Sequence, residues 1–207
     1  MIKPSSAPRR GRPPAANAAS HAAIMDAVHA LLREKSVRDL SMEEIAKRAG
    51  VGKPTLYKWW PSKSALVMAM FHERIARKRE PSSVKTAEDS IRSKVRRLIR
   101  EFNGLFGKVM AELIAEGQSD PDTLRDLREQ HMQPRRLATI SDIERGKAAG
   151  EFPPDLEPEL LIDAIFGALY FRFLLRMGPL TDSYGQELVD QTLRGFRAGG
   201  AELRSSR

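Results

Sequence analysis

Residues 41–66, SMEEIAKRAGVGKPTLYKWWPSKSAL, leave the chain little choice but two short helices joined by a tight glycine turn, with a third helix straight after. Ser41 followed three residues on by Glu44 forms a capping box: the serine oxygen accepts one orphan backbone N–H and the glutamate returns to another. Ile45, Ala46 and Ala49 then share a helical face. Gly50 supplies the positive φ that ends this helix, and Val51 plugs the corner. The second helix opens at Gly52 or Lys53, with Pro54 in its first turn, where a missing N–H removes no helical bond. It buries Leu56 and little else, and Lys53, Thr55, Tyr57 and Lys58 form a face able to touch nucleic acid. A second helix anchored by one or two apolar residues is what a helix-turn-helix lays into the major groove.

The flanking sequence is helical in pattern, and no stretch alternates apolar and polar residues long enough for a sheet. A first helix is expected from Asn17 or Ser20 to Lys35, carrying Ile24, Val28, Leu31 and Leu32. Another is expected from Ser62 to Arg79, with Leu66, Met70 and Ile75 on its inner side. Further helices are expected near 84–103, 105–117, 121–149, 156–177 and 184–198, with Pro134 kinking or breaking the third of these. The expected fold is therefore all-α. A basic arm over 1–16 precedes a three-helix DNA-binding domain over 17–80 (motif about 41–60), and a helical regulatory and dimerisation domain fills 81–207.

Charge is divided in the same way. Residues 1–80 hold 16 Lys/Arg against 7 Asp/Glu, a net of +9, while 81–207 hold 19 against 20, a net of −1. A solvated basic face is the plainer explanation, but a confined excess fits a footprint for the phosphate backbone. Within the arm, Arg9-Arg10-Gly11-Arg12-Pro13 resembles the AT-hook core. Arg10 and Arg12 on either side of a glycine suit the floor of a narrow A·T-rich minor groove.

The chain has no cysteine, which excludes disulfides and thiolate chemistry and suits a reducing cytoplasm. The first twenty residues lack the apolar core of a secretory signal. Leu160 to Met177 is apolar but interrupted by Asp163, Arg172 and Arg176, which argues for a buried helix and against a membrane span. The four histidines (His21, His29, His72 and His131) are scattered. Without metal-ligand spacing or a glycine-rich phosphate loop, no catalytic residue, metal site or cofactor is expected.

Over residues 20–80 the pattern resembles the DNA-binding domain of the tetracycline-repressor (TetR) family, carried by Ser41, Ile45, Ala46, Ala49-Gly50-Val51, Pro54-Thr55-Leu56-Tyr57, Pro61-Ser62-Lys63 and Ala65-Leu66. The resemblance implies an all-helical homodimer that represses transcription and releases DNA on binding a small molecule. By position, it implies phosphate contacts from Ser41 and from Lys63 at the next helix N-terminus. Lys53, Pro54 and Thr55 would open the recognition helix, with Thr55 and Tyr57 reaching phosphates or thymine methyls. Lys53 or Lys58 would be able to read guanine. The chain departs from the common pattern at Trp59-Trp60. Trp60 is expected to plug the core, and two roles stand open for Trp59: flanking the DNA backbone or packing on the arm.

In the C-terminal half, the helix near 156–177 is apolar on nearly every side. Ile165, Phe166, Leu169 and Phe173, with Leu188, Leu193 and Phe196 of the last helix, are candidates for a four-helix interface between two protomers. The alternative is a central core helix in a monomer. Phe102, Phe106, Met110 and Leu113 offer an apolar lining for a small-molecule effector and His131 a polar handle, although such spacing also suits plain core and His131 equally suits an exposed position. The expected partners are thus a palindromic double-stranded DNA operator, a second copy of the chain and an unknown effector. An architectural or activating DNA binder without ligand control is the competing function. Replacing Arg10 and Arg12 by alanine is expected to weaken DNA binding and flatten its salt dependence. An unchanged slope of log affinity against log salt would remove the arm from the interface.

Overall fold

The computed structural model describes residues 15–77 and 86–202, so Arg10 and Arg12 lie outside the described residues, as does the side chain of Ile75. Every regular element among the described residues is a helix. In the N-terminal half, α1 (Ala15–Glu34) buries Ile24, Val28, Leu31 and Leu32 against α2 (Met42–Ala49) and α4 (Lys63–Arg77), with α3 (Lys53–Trp59) outermost. The apolar residues of α1 fall three and four apart, the spacing that places them on one face.

Helix α4 departs from the one-sided pattern expected of it. Besides Leu66 and Met70 it buries Ala65, Val67 and Met68, so its first turns are covered all round. The cause is position. The helix passes between α1 on one side and α7 (Pro121–Leu127) on the other, linking the two halves of the molecule. A helix apolar on every side is stable only where every side is covered.

The second half begins with α5 (Ala87–Phe102), capped by Thr86, whose hydroxyl accepts from Asp89 N–H at 3.0 Å. After Gly104 comes α6 (Leu105–Gly117). Helix α7 is capped by Asp120 with Pro121 in its first turn and runs into α8 (Gln133–Ala148) without a break; of the kink or break expected at Pro134, a local widening of the helix is what is present. Pro134 is accommodated by a π turn over Arg128–Met132, in which Gln133 N–H reaches back to Arg128 carbonyl. The wider turn relieves the clash a proline ring makes with the carbonyl four residues earlier. A second π turn, Asp163–Gly167, joins α9 (Pro158–Ile162) to α10 (Ala168–Leu174), which stops three residues short of the expected end. Helix α11 (Asp182–Glu202) packs on α5.

The burial pattern corrects part of the expected dimer face. Ile165, Leu169 and Leu193 are at most 2% exposed, and Phe173 turns its ring onto Phe102 at 4.1 Å. Ile165, Leu169 and Leu193 already fill the protomer's own core, and Phe173 is half-buried against it. Phe166, Leu188 and Phe196 stay half-buried at its edge. Phe171 (56% exposed) and Leu175 (59%) stand outside it.

Close helix packing on this core depends on Gly146 of α8. A Cβ there would lie 2.6 Å from Ala87 Cβ and 2.7 Å from the Phe152 ring. Gly146→Ala is expected to destabilise the fold by about 1–3 kcal/mol through overpacking. Urea unfolding checks this: the midpoint should fall at constant slope, and an unchanged midpoint would mean that α8 has slack against α5.

Candidate nucleic-acid interface and its link to the regulatory core

The DNA-facing surface is built by the turn between α2 and α3. Ser41 is extended (φ −119°, ψ 152°), and its hydroxyl accepts from Glu44 N–H at 3.2 Å. The capping box is only half made, because the Glu44 carboxylate turns to Lys35 Nζ at 2.7 Å instead of back to Ser41. Gly50 adopts the left-handed conformation (φ 67°), and Val51 N–H closes on Ala46 carbonyl at 3.0 Å. This turn sends α3 out with Leu56 wholly buried beneath it.

Lys53, Pro54, Tyr57 and Lys58 are exposed on the outer face of α3, and Thr55 is half-buried beside them. Tyr57 is 48% exposed, far more than a core tyrosine would be. Lys53 pairs with Glu43 of α2, and its ammonium lies 5.8 Å from the Tyr57 ring centre. Their hydrogen bond raises the Lys53 pKa and lowers that of Glu43. Glu43 is a neighbour of this surface that the sequence pattern does not single out. Nothing in the motif says that a carboxylate ten residues earlier will reach the first lysine of the recognition helix.

Lys63 is not placed as expected. Its ammonium donates to Val37 carbonyl at 2.8 Å and pairs with Glu116 of α6 at 3.3 Å, leaving the side chain 22% exposed. It ties the start of α4 to the second half, and the phosphate role is corrected accordingly. The reason is that α6 brings the Glu116 carboxylate within 3.3 Å of the ammonium. The two tryptophans also turn inward. Trp60 is buried, as expected of a core plug. Trp59 packs 5.5 Å from it and 5.1 Å from His21 of α1, whose Nε2 lies 2.5 Å from Glu73 of α4.

A seam of polar bonds joins the two halves. Val37 N–H donates to Glu112 at 2.6 Å, Ser62 and Ser64 donate to Asp126 at 2.5 and 2.8 Å, and His72 Nε2 meets His131 Nδ1 at 2.9 Å. Phe71 of α4 meets Phe106 of α6 edge-on at 5.2 Å. Each partner from the second half lies on α6, α7 or the first π turn, and all but Glu112 meet α4 or Ser62 just before it.

Behind the seam lie the residues expected to line an effector site. Phe102, Phe106, Met110 and Leu113 are buried, and so is His131, which is 1% exposed. The two phenyl rings stack at 6.5 Å, and Phe106 lies 5.2 Å from His131. Arg135 sits over Phe106 and bonds Glu101 at 2.8 Å. Burial, then the Arg135 guanidinium, with smaller effects of His72 and Arg97, pushes the His131 pKa down to about 2. Burial and Arg135 also lower His72, against a smaller opposing effect of Glu101. The pair is therefore neutral at neutral pH. Glu101, Arg135 and His72 carry no motif in the sequence that would have singled them out.

Among the described residues no helix is long and apolar enough to cross a membrane. Residues 24–70 match the bacterial regulatory proteins of the tetR family, and residues 81–192 match the tetracyclin repressor-like C-terminal domain. The chain is 33% identical over 193 residues to the HTH-type transcriptional regulator YdeS of Bacillus subtilis, covering 93% of this chain and 96% of that one. Among solved structures, the TetR family transcription regulator SCO0332 superimposes with a TM-score of 0.73 at 28% identity, covering 85% of this chain and 97% of that chain. FadR from Bacillus subtilis in complex with stearoyl-CoA shares the fold (TM-score 0.63, 17% identity, 84% of this chain and 98% of that chain). With both halves matched in order and the helix-turn-helix built as described, the chain belongs to the tetR family of helix-turn-helix transcriptional regulators.

Proposed function

We propose that the protein is a homodimeric transcriptional repressor, working in the cytoplasm, that holds a palindromic operator and leaves it when a small molecule enters the second half. The observation that carries this is the polar seam: the helix beside the recognition helix is bonded directly to the elements enclosing the aromatic core. Lys53, Pro54, Thr55, Tyr57 and Lys58 meet the major groove, with Ser41 at the backbone. Phe166, Leu188 and Phe196, joined by the exposed Phe171 and Leu175, meet the second copy. Pairing two copies spaces two recognition helices for two half-sites. The fold's capacity for a small molecule is seen in FadR, which was solved with stearoyl-CoA. Release then follows as a population shift: DNA favours one spacing of the recognition helices and the ligand another. A tenfold loss of affinity needs only about 1.4 kcal/mol of coupling.

Selection from a random duplex pool at near-physiological salt is expected to enrich a two-fold palindrome. A single half-site would overturn the dimeric reading. A·T-rich DNA with no half-site would favour the architectural binder, with the arm dominant.

The Glu43–Lys53 pair generates a second expectation. Glu43→Gln frees the lysine and removes a negative charge beside the groove, so affinity should rise several-fold at low salt, while Lys53→Met lowers it. Gel shifts across a salt series measure both. Equal affinities in the two variants would take Lys53 out of the interface.

A further inference from the structure

Among the described residues of the second half, Glu101 Oε1, Glu116 Oε2 and His131 Nε2 are buried without a hydrogen bond; the two carboxylates face Arg97 and Lys63 in ion pairs, and the histidine has no such answer. His131 is held on its π turn with Nδ1 engaged by His72, and its Nε2 reaches no hydrogen-bonding atom. Buried polar groups are bonded in the great majority of cases, so an exception of this depth asks for a ligand. Glu101 Oε1 also lacks a hydrogen bond, but it faces Arg97 Nε at 3.5 Å in an ion pair, and its other oxygen takes Arg135. Its charge is answered within the protein. The charged side chains acting on His131 are the cations Arg135 and Arg97.

Aromatic rings connect this atom to the surface. Phe106 stands beside His131, Phe102 beside Phe106, and Tyr170 lies 4.9 Å from Phe102. Phe173 stacks on Phe102 at 4.1 Å and lines an open groove of about 350 Å³ that also holds Arg172 and Arg176. A half-buried phenyl ring therefore separates an arginine-bearing groove from an aromatic interior with an unanswered imidazole nitrogen at its far end.

We propose that this path takes a planar aromatic anion, a ring bearing a carboxylate, whose oxygen accepts from His131 Nε2–H once the ring has passed Phe173 and lodged among Phe102, Phe106 and Tyr170. The inference rests on the ligand-responsive reading above and names its ligand class. An anion selects the tautomer with the proton on His131 Nε2, so Nδ1 must accept from His72 Nε2–H. Ligand, His131 and His72 then form one hydrogen-bonded chain, each bond polarising the next, and it ends on α4.

The test is calorimetric titration of the full-length protein with 2-naphthoate, the neutral 2-naphthalenemethanol and the cationic (2-naphthylmethyl)trimethylammonium. Naphthoate is expected to bind at least tenfold tighter than either, to lose tenfold or more in His131→Leu, and to recover partly in His131→Gln, whose amide restores a donor. Thermal unfolding reports whether each variant is folded, and the three-probe comparison on the unaltered chain stands without them. No naphthoate binding at millimolar concentration, equal or tighter binding of the alcohol or the cation, or undiminished binding by folded His131→Leu overturns the proposal; a lone water on Nε2 would give the first of these. Gel shifts with operator DNA separate the two readings. Naphthoate that binds without weakening the DNA complex upholds the site and sinks ligand-driven release. Another effector releasing DNA equally from the unaltered chain and from folded His131→Leu upholds release and sinks the site.

Discussion

The burial of α4 is the constraint on which the rest of the molecule depends. Its first turns are covered on one side by α1 and on the other by α7 and the first π turn, and apolar side chains point both ways. The N-terminal helices are thereby joined to the second half through a shared core and not through a hinge. Phe71 against Phe106 supplies the apolar part of that junction, and the bonds to Asp126, Glu112, Glu116 and His131 supply its geometry. Apolar packing is non-directional and tolerates sliding. Hydrogen bonds with one donor and one acceptor do not, and they fix the register of α4 against its neighbours.

The same junction explains why polar groups lie so deep in the second half. His72 and His131 are neutral because burial and nearby arginines disfavour their charged forms. Two neutral imidazoles can be buried together, sharing one proton between facing nitrogens, at far smaller cost than an isolated charge. Glu101 lies nearby between Arg135 and Arg97, each of which it pairs with. The π turn that makes room for Pro134 is also the segment that carries His131 to α4.

Much of the DNA-facing surface was legible in the residues. Ser41, Gly50, Pro54 and Leu56 act locally: a cap, a left-handed turn, a first-turn proline and a single anchor each depend on a few neighbouring residues. Lys63 was misread because its partner, Glu116, is 53 positions away in the chain. The half-made capping box has a similar cause, since Lys35 offers Glu44 an opposite charge where Ser41 N–H offers a neutral dipole. Ile165 and Leu169 were assigned to a partner because a helix apolar all round looks uncovered when its neighbours are unknown, and Leu193 because it shares a stripe of the last helix with Leu188 and Phe196.

The sequence by itself determined the helical class, the helix-turn-helix, the confinement of positive charge to the N-terminal half and the outward face of α3. All of these follow from backbone preference and from periodicity within one or two helical turns. Only the tertiary structure decided which apolar side chains are core and which remain exposed, which lysines are already paired, and that His131 is buried with one nitrogen on α4 and the other unanswered. Burial and pairing depend on which distant segments come together, and that is set by packing the whole chain at once.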